Sequence, residues 1–245
     1  MLQNDSDFHV KLTVVFDNVL FEKNLTASWG FACVVQTGSD TLLFDTGNSG
    51  KILLTNMQKL NLDPGLVQSV VISHNHWDHQ DGLPDFLAVN PNVTVFIPHS
   101  SPVELEQSLI SQGAVVRRID SFQPINSTCY SLGELKENFP EQSLAVRSPQ
   151  GLIVITGCAH PGIVPIVERA VTLFPEESIY LVMGGFHLKG DSERTIEEIG
   201  RKMQNLGVQK FAPSHCTGES AMKIFQQQFR QDYIQSGVGR VILVP

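Results

Sequence analysis

The sequence is poor in the features of secreted and membrane proteins. It has 4 cysteines among 245 residues, and none of them forms a C-x-x-C pair. Widely spaced cysteines in a chain of this size are typical of free thiols in a reducing compartment. The opening segment MLQNDSDFHV lacks the basic and apolar parts of a signal peptide, and no apolar run approaches the roughly 18–20 residues of a membrane span. We therefore expect a cytoplasmic protein without a membrane partner.

Excess positive charge is also missing. The 17 Lys and Arg residues are outnumbered by 25 Asp and Glu residues, which gives a net charge of −8. Nucleic-acid binding requires a basic surface, so we expect no nucleic-acid partner. The sequence has no G-x-G-x-x-G motif, no P-loop and no G-x-S-x-G elbow, which argues against dinucleotide binding, nucleotide hydrolysis and serine-hydrolase chemistry. A small-molecule substrate is the expected partner, and the sequence does not indicate an oligomeric state.

What the sequence does contain is a series of short β-branched runs. Such runs, bounded by turn residues, predict strands. They crowd the N-terminal third of the chain and then alternate with segments of helical periodicity. The predicted strands are VKLTVVF from Val10, FACVV from Phe31, TLLFD from Thr41, SVVIS from Ser69, VTVFI from Val93, SLAVR from Ser143, LIVIT from Leu152, IYLVM from Ile179 and VILV from Val241.

Turn and cap residues refine this assignment. The segment Thr37-Gly38-Ser39-Asp40 predicts a hairpin turn. Ser192 is predicted to cap a helix that ends before Gly207, and Ser101 with Glu104 predicts a capping box for another helix. This order predicts an α/β (α+β) fold with two sheets and helices outside them, in one domain over residues 1–245. A doubly wound sheet is the alternative, but the early hairpins fit it poorly.

The most informative segment is SHNHWDH, which runs from Ser73 to His79 directly after a predicted strand. Neutral imidazole together with a carboxylate is a ligand set for Zn²⁺ or Fe. In a tight turn, His74 and His76 can point the same way, while Asp78 and His79 bind a neighbouring ion. A solvated turn without a metal is the alternative, but three imidazoles at this spacing fit it poorly.

The pattern H-x-H-x-D-H after a hydrophobic strand resembles the signature of the metallo-β-lactamase superfamily. The segment LLFDTG, from Leu42 to Gly47, is similar to that superfamily's Asp-Thr-Gly turn. The segments WGFACVV, ITGCAHPGI, GGFHL and SHCTG resemble the branch related to ribofuranosylaminobenzene 5′-phosphate synthase. The resemblance spans residues 29 to 218 and implies a four-layer αββα sandwich with a metal site where the two sheets meet.

The resemblance also implies a ligand set for two divalent ions. Nitrogen and carboxylate ligands accept Zn²⁺, Mn²⁺ or Fe, and Zn²⁺ is the ion we expect first. The implied ligands of the first ion are His74, His76 and His160, and those of the second ion are Asp78, His79 and His215.

Two positions depart from the family pattern. Typical members carry a further His before the strand that leads to a bridging Asp, but the comparable stretch from Glu141 to Leu144 has none. Cys158 stands where the bridging Asp is expected, and it is either a thiolate ligand or a buried, inert thiol. Asp45 is expected to orient a ligand imidazole from behind, or else to form a purely structural Asx turn.

Residues beside these ligands have less specific predictions. His187 is assigned to proton donation or substrate binding, with a hydrogen-bonded loop His as the alternative. Gly185 is expected to let the backbone approach a substrate. Cys216 is expected to be structural, because no basic residue next to it in sequence would lower its pKa. His9 and His99 fit a solvated role better than a ligand role.

These residues favour a metal-dependent hydrolase. Hydroxide activated by two cations would attack the carbonyl carbon or phosphorus of a small phosphorylated or ester-type metabolite, with Asp78 and His187 as the catalytic side chains. The branch resemblance implies an alternative, a phosphoribosyl-transferring synthase step on a pterin or aminobenzoate-type substrate with the metals as Lewis acids. A third hypothesis is a metal-bearing ligand sensor with little turnover.

Overall fold

The computed structural model describes residues 9–38 and 40–245. Within these residues, one sheet has seven strands in the order β13-β1-β2-β3-β4-β5-β6. Its strands are β1 (Val10–Asp17), β2 (Phe31–Thr37), β3 (Asp40–Phe44), β4 (Ser69–Val71), β5 (Thr94–Pro98), β6 (Val115–Ile119) and β13 (Val241–Val244).

The second sheet has six strands in the described part of the chain, in the order β12-β11-β10-β9-β8-β7. They are β7 (Gln123–Pro124), β8 (Cys129–Leu135), β9 (Glu141–Ser148), β10 (Gly151–Thr156), β11 (Ile179–Gly185) and β12 (Lys210–Ser214). The α-helices are α1 (Gly50–Lys59), α2 (Trp77–Gln80), α3 (Leu83–Val89), α4 (Val103–Ser111), α5 (Ile163–Leu173), α6 (Glu193–Asn205) and α7 (Glu219–Phe229). No helix among the described residues is both long and apolar enough to cross a bilayer.

Strand β2 shows how the layers are stacked. Phe31, Cys33 and Val35 belong to a buried cluster that also contains residues of the second sheet. The alternate residues Ala32 and Val34 belong to a second cluster, formed with helices α1 and α3. Because successive side chains of a strand point to opposite faces, the sheet is buried on both sides. A third cluster lies between the second sheet and helices α5, α6 and α7.

The layers are therefore helix, sheet, sheet and helix, and the predicted αββα sandwich is confirmed. The doubly wound alternative is wrong, since the strands form two sheets and β1, β2 and β3 pair antiparallel. Thr37 pairs with Asp40 across the predicted hairpin, although Ser39 lies outside the described residues. Each strand predicted above is present, with its bounds shifted by two residues at most. The segment FAPS, which the sequence analysis also interprets as strand-like, lies in β12. The sequence analysis did not predict β6, β7 and β8, which carry charged, Pro and Gly residues.

One of the two predicted helix caps is confirmed. Ser192 Oγ accepts the backbone N–H of Thr195 at 3.2 Å, at the start of α6. The capping box at Ser101 is wrong, because Pro102 takes the N-cap position of α4, and the Ser101 hydroxyl donates to Asn75 Oδ1 at 2.8 Å. Helix α4 therefore starts without a side-chain cap, and Ser101 supports the loop that carries the histidine motif.

Strand direction places the candidate site. Strands β3 and β4 are parallel in the first sheet, and β10, β11 and β12 are parallel in the second. The loops after the carboxyl ends of parallel strands meet at one edge of a sheet, which is where α/β proteins bind ligands. Gln142 joins the two sheets at this edge, since its side-chain amide donates to the carbonyl oxygens of Ile72 and Phe96 at 2.8 and 3.2 Å.

Candidate metal centre

The candidate site is built from loops that follow five of these parallel strands. Several of the loop residues adopt positive φ, although none of them is glycine. Such left-handed backbone is uncommon for residues with a side chain and clusters at functional sites. The residues are Asp45 after β3 (φ 58°), Ala159 after β10 (φ 59°), His187 after β11 (φ 51°) and His215 after β12 (φ 51°).

The structure brings the three predicted ligands of the first ion together. His76 Nδ1 lies 3.1 Å from His74 Nε2 and 3.2 Å from His160 Nε2. The three ligand nitrogens all lie within 4.8 Å of one another. Burial lowers the pKa of His74 well below its ordinary value, and burial followed by the neighbouring imidazoles lowers the pKa of His160 to about 3. Both rings are therefore neutral at pH 7, which is the form that binds a metal.

The predicted ligands of the second ion also converge. Asp78 Oδ2 lies 3.7 Å from His79 Nε2 and 3.4 Å from His215 Nε2, and all three residues are buried. Burial opposes ionisation of the Asp78 carboxyl, but its contacts with His215 and His79 lower its pKa to about 2. The set therefore contains a carboxylate at neutral pH.

Asp45 fixes the orientation of two histidines. Its carboxylate accepts the His79 Nδ1 proton at 2.7 Å and the Ser73 hydroxyl proton at 2.7 Å. Because the Ser73 hydroxyl has only one proton, its 2.8 Å contact with His74 Nδ1 must be donated by the imidazole. The Nε2 lone pairs of His74 and His79 therefore face inward, an arrangement typical of metal-ligating histidines.

His79 also responds strongly to the Asp45 carboxylate. Burial alone would lower the pKa of His79, but attraction to Asp45 and its hydrogen bond raise that pKa to about 9. In the metal-free protein this imidazole is therefore protonated at pH 7, and a metal ion must displace the proton.

His215 is fixed in the same manner by Asn18, a residue that the sequence analysis missed. Asn18 Oδ1 accepts the Nδ1 proton of His215 at 2.7 Å. The opposite nitrogen, Nε2, is buried and finds no hydrogen-bond partner among the described residues. An orphaned, inward-facing imidazole nitrogen next to Asp78 fits a metal ligand, because a buried polar atom otherwise needs a partner.

Glu141 holds the loop that carries His160. Its Oε1 accepts the backbone N–H groups of Gly157, Cys158 and Ala159 at 3.1, 3.0 and 2.9 Å, and its Oε2 accepts that of His160 at 2.8 Å. Burial raises the pKa of this carboxyl to about 6. Glu141 begins the stretch in which the family's usual His is missing, and the sequence analysis did not predict that its carboxylate organises the neighbouring loop.

Two aromatic residues complete the walls of the site. The ring of Phe139 stacks on His76 with centroids 4.2 Å apart. Trp29 packs against His215 with centroids 5.2 Å apart. Trp29 belongs to the quoted WGFACVV segment, whereas nothing in the sequence distinguished Phe139.

Cys158, His187 and Cys216 form a further cluster beside the two ligand sets. Their Sγ and imidazole atoms lie within 4.8 Å of one another, and Cys158 Sγ is also 3.3 Å from His79 Nε2. The expectation that Cys216 has no basic neighbour is wrong, because the fold brings His187 against it. Burial raises the pKa of Cys216, but its contacts with Cys158 and His187 outweigh burial and lower that pKa well below its ordinary value.

Gly185 is buried among protein atoms. A Cβ at this position would lie 2.7 Å from Cys216 Sγ and 3.1 Å from the His215 ring. The close packing of the strand-end loops thus explains why a side chain is excluded here, and the substrate-binding role of Gly185 stays a prediction. His9 and His99 are exposed and lie outside the described ligand clusters.

A cavity of about 340 Å³ opens beside the cluster. His160 and His187 form its wall on the side of the candidate metal centre, and most of the remaining wall is apolar. The other lining residues include Asn138, Gly162, Ile163, Val164, Phe186, Leu188, Asp191 and Ile199.

Comparison with known proteins identifies relatives of this chain. The chain is 28% identical to the 7,8-dihydropterin-6-methyl-4-(beta-D-ribofuranosyl)-aminobenzene-5'-phosphate synthase of Methanocaldococcus jannaschii, over 82% of this chain and 83% of that protein. The fold matches the crystal structure of Tm1679, described as a metal-dependent hydrolase of the beta-lactamase superfamily, with a TM-score of 0.80, 30% identity and coverage of 96% of this chain and 99% of the other.

A more distant structure agrees on the fold. YhfI of Bacillus subtilis, a metallo-beta-lactamase fold protein, matches with a TM-score of 0.71 and 15% identity over 95% of this chain and 98% of its own. The sequence profile of the metallo-beta-lactamase superfamily matches residues 30–173, which is more than half of the chain. Divalent-metal binding is a property of this largely enzymatic superfamily, whose members act on small molecules, and the clusters described above are suited to it. The chain therefore belongs to the metallo-β-lactamase superfamily.

Proposed function

We propose that the protein is a metal-dependent hydrolase of a small phosphorylated or ester-type metabolite. The observation that carries this proposal is the arrangement of His74, His79 and His215. Each has its Nδ1 engaged by a neighbouring polar group and its Nε2 turned into the site. Three buried rings oriented in this way are suited to bind a cation, because the Nδ1 atoms are engaged and the Nε2 atoms face the other candidate ligands.

The two ligand sets suit two divalent ions, with Zn²⁺ as the first choice and Mn²⁺ or Fe as alternatives. His74, His76 and His160 would hold one ion. The second would be held by Asp78, His79 and His215, with Cys158 near enough to add a thiolate. Bound divalent ions lower the pKa of water towards about 7 and stabilise the negative charge that develops in the transition state.

The proton transfers of the reaction are assigned to two side chains, His187 and Asp78. His187 is exposed and lines the cavity, and its ring centroid lies 4.3 Å from that of His160. A hydrogen bond with Cys216 raises the pKa of His187 above its ordinary value, which favours the protonated ring and suits His187 to the donation of a proton to a leaving oxygen. Asp78 is ionised, and its Oδ2 lies 3.4 Å from His215 Nε2, so we assign it the transfer of a proton from the attacking water.

The cavity indicates the substrate class. Gly162, Ile163 and Val164, at the N-terminus of α5, line it, and a helix N-terminus offers free N–H groups and a positive dipole end to an anion. The apolar wall on the other side suits the organic part of the metabolite. A phosphate ester whose reacting group faces His160 and His187 satisfies both features.

Metal content and turnover together test this proposal. We expect the His74→Ala and His76→Ala variants to lose one ion per chain by elemental analysis and to lose hydrolysis of the best ester in a phosphate- and carboxylate-ester panel. His99→Ala removes an exposed imidazole and serves as the matched control. Full metal content and full turnover in both variants would overturn the ligand assignment. A wild-type protein that contains the metal ions but hydrolyses no ester in the panel would favour the sensor hypothesis.

The second candidate function is the synthase step, and the 28% identity to the M. jannaschii synthase favours it. In this case a phosphoribosyl donor would lose pyrophosphate while a bond forms to a pterin or aminobenzoate-type acceptor. Incubation with such donor and acceptor pairs, with release of pyrophosphate as the readout, separates the two functions. Pyrophosphate release that requires the acceptor would replace the hydrolase proposal.

A further inference from the structure

The sulfur atoms beside the candidate centre form a third set of metal-ligating atoms. Cys158 Sγ, Cys216 Sγ and a ring nitrogen of His187 all lie within 4.8 Å of one another. Both cysteines are free and almost fully buried, with exposed fractions of 3% and 5%. The three groups contact one another, and atoms at such distances can also bind one metal ion together.

The chemistry of this set differs from that of the two imidazole and carboxylate sets. Thiolates with an imidazole select soft or borderline ions such as Zn²⁺, Cd²⁺ and Cu(I). Zinc–sulfur and zinc–nitrogen bonds of about 2.3 and 2.0–2.1 Å keep the ligand atoms of one tetrahedral ion within about 4 Å of each other. We propose that Cys158, His187 and Cys216 bind a third metal ion, of soft character, next to the imidazole and carboxylate centre.

The surroundings hold these side chains in place. The backbone N–H of Cys158 donates to Glu141 at 3.0 Å, and Cys216 Sγ contacts the Cys158 carbonyl oxygen at 3.7 Å. Gly185 leaves space for Cys216, since a Cβ there would come within 2.7 Å of its sulfur. A fixed set of ligands loses little conformational freedom when an ion binds.

The other two cysteines provide a contrast within the same chain. Cys33 and Cys129 are also free and buried, but both belong to the apolar cluster between the two sheets. Neither belongs to a metal-ligating cluster among the described residues. Only the pair on the strand-end loops combines burial with an imidazole and with access to the cavity, because His187 lines that cavity.

The third metal site is not part of the proposed hydrolase mechanism, but its occupancy affects the proton donation assigned to His187. An ion bound to His187 occupies a nitrogen of the ring that would otherwise donate a proton. The proton-donating form of His187 is therefore the form without the third ion, and a soft ion at this site withdraws the proton donor. Cys158 Sγ, 3.3 Å from His79 Nε2, links the third site to the second ligand set.

Cobalt titration of the metal-free protein under reducing conditions tests the third site. We expect the wild-type protein to take up three ions per chain, one of them with the near-ultraviolet sulfur-to-cobalt charge-transfer band. Cys216→Ser should lose one ion and with it the charge-transfer band, because one thiolate and one imidazole no longer hold the ion. His187→Ala should weaken the same uptake at least tenfold. Cys33→Ala, which removes a buried thiol elsewhere, should leave band and stoichiometry unchanged.

Two further measurements keep the result unambiguous. His74→Ala should lose an ion but keep the charge-transfer band, so failure of the imidazole centre and failure of the sulfur site give different results. Wild-type protein that binds no more than two ions, or that shows no sulfur band at saturation, would overturn the third site whether or not a variant folds. A band that depends on Cys158 but is unaffected in Cys216→Ser would also overturn it, since Cys158 would then serve the second set alone.

Discussion

Asn18 and His215 are joined by two hydrogen bonds across 197 positions of sequence. The Asn18 side chain accepts the His215 Nδ1 proton at 2.7 Å, and its amide donates to the His215 carbonyl oxygen at 3.3 Å. The residue after β1 in the first sheet thus fixes both the ring and the backbone of a residue after β12 in the second. Because His215 adopts a left-handed φ of 51°, this support also stabilises an unfavourable backbone conformation.

The first prediction concerns this pair. Asn18→Ala removes the acceptor that holds the His215 ring, so we expect the affinity of the second ligand set for Zn²⁺ to fall by about 10- to 100-fold. Competition with a chromophoric chelator measures the change. Asn18→Asp keeps an acceptor oxygen and should retain most of the affinity. Equal affinities in wild type and Asn18→Ala would show that the hydrogen bonds do not position the ring.

The second prediction concerns Asp45, whose buried carboxylate accepts protons from His79, from the Ser73 hydroxyl and from the Ser73 backbone N–H. Asp45→Asn replaces one acceptor oxygen with a donor and removes the counter-charge of the buried His79. Loss of one partner of a buried ion pair costs about 3–5 kcal/mol. Urea unfolding of the metal-free variant at pH 7 should show a loss of stability in that range.

Asp120→Asn is the control for this variant, since Asp120 makes an exposed ion pair with Lys136, and such pairs contribute at most about 1 kcal/mol. If both variants unfold at the same urea concentration as wild type, the Asp45 contacts do not support the fold.

The third prediction concerns Glu141. Glu141→Ala leaves the backbone N–H groups of the loop from Gly157 to His160 without their carboxylate acceptor, and each buried unpaired donor costs about 1–3 kcal/mol. We expect a stability loss of about 3 kcal/mol or more by urea unfolding, together with weaker binding at the first ligand set. Glu141→Gln keeps one acceptor oxygen and should lie between Glu141→Ala and wild type. A Glu141→Ala variant with unchanged metal affinity would show that His160 does not depend on this loop.

The fourth prediction uses the pH dependence of stability. Burial raises the pKa of Asp17 from 3.8 to about 6, although attraction to His215 opposes the shift. The folded state therefore binds the Asp17 proton more tightly than the unfolded state. This stabilising contribution is complete below pH 3.8 and is lost as the pH rises through 6, by about 3 kcal/mol in total.

Asp17→Asn removes this titration and keeps the acceptor of the Val19 N–H. The stability of the variant relative to wild type should therefore increase by roughly 2 kcal/mol from pH 4 to pH 7 in metal-free protein, because part of the full effect is already lost at pH 4. Urea unfolding at intervals of half a pH unit measures the difference. A difference that stays constant over this range, or that decreases, would contradict the raised pKa.

Sequence reasoning reached the candidate ligands because they lie in short motifs at strand ends. The spacing from His74 to His79 is local, and the fold needed only to bring His160 and His215 to the same edge. Asn18, Glu141 and the stacking of Phe139 on His76 were not predictable, because each contact joins segments that are distant in the chain. The roles assigned to His187 and to the ligands stay predictions until metal content is measured.

The wrong predictions have the same cause. A capping box is a local pattern, yet α4 begins after Pro102 and the Ser101 hydroxyl donates to Asn75 in the loop after β4. Cys216 looked unreactive from its sequence neighbours, yet the fold placed His187 and Cys158 beside it. Local sequence patterns describe which elements form, whereas tertiary contacts decide which polar groups meet.

The two imidazole-rich ligand sets each draw on both sheets. His74, His76, Asp78 and His79 follow β4, whereas His160 and His215 follow β10 and β12. An ion in either set would act as a cross-link between the halves of the sandwich, and chelation should loosen the core far from the edge. Cys158, His187 and Cys216 all follow strands of the second sheet. Binding or loss of an ion at this third site would therefore leave the connection between the two sheets unchanged.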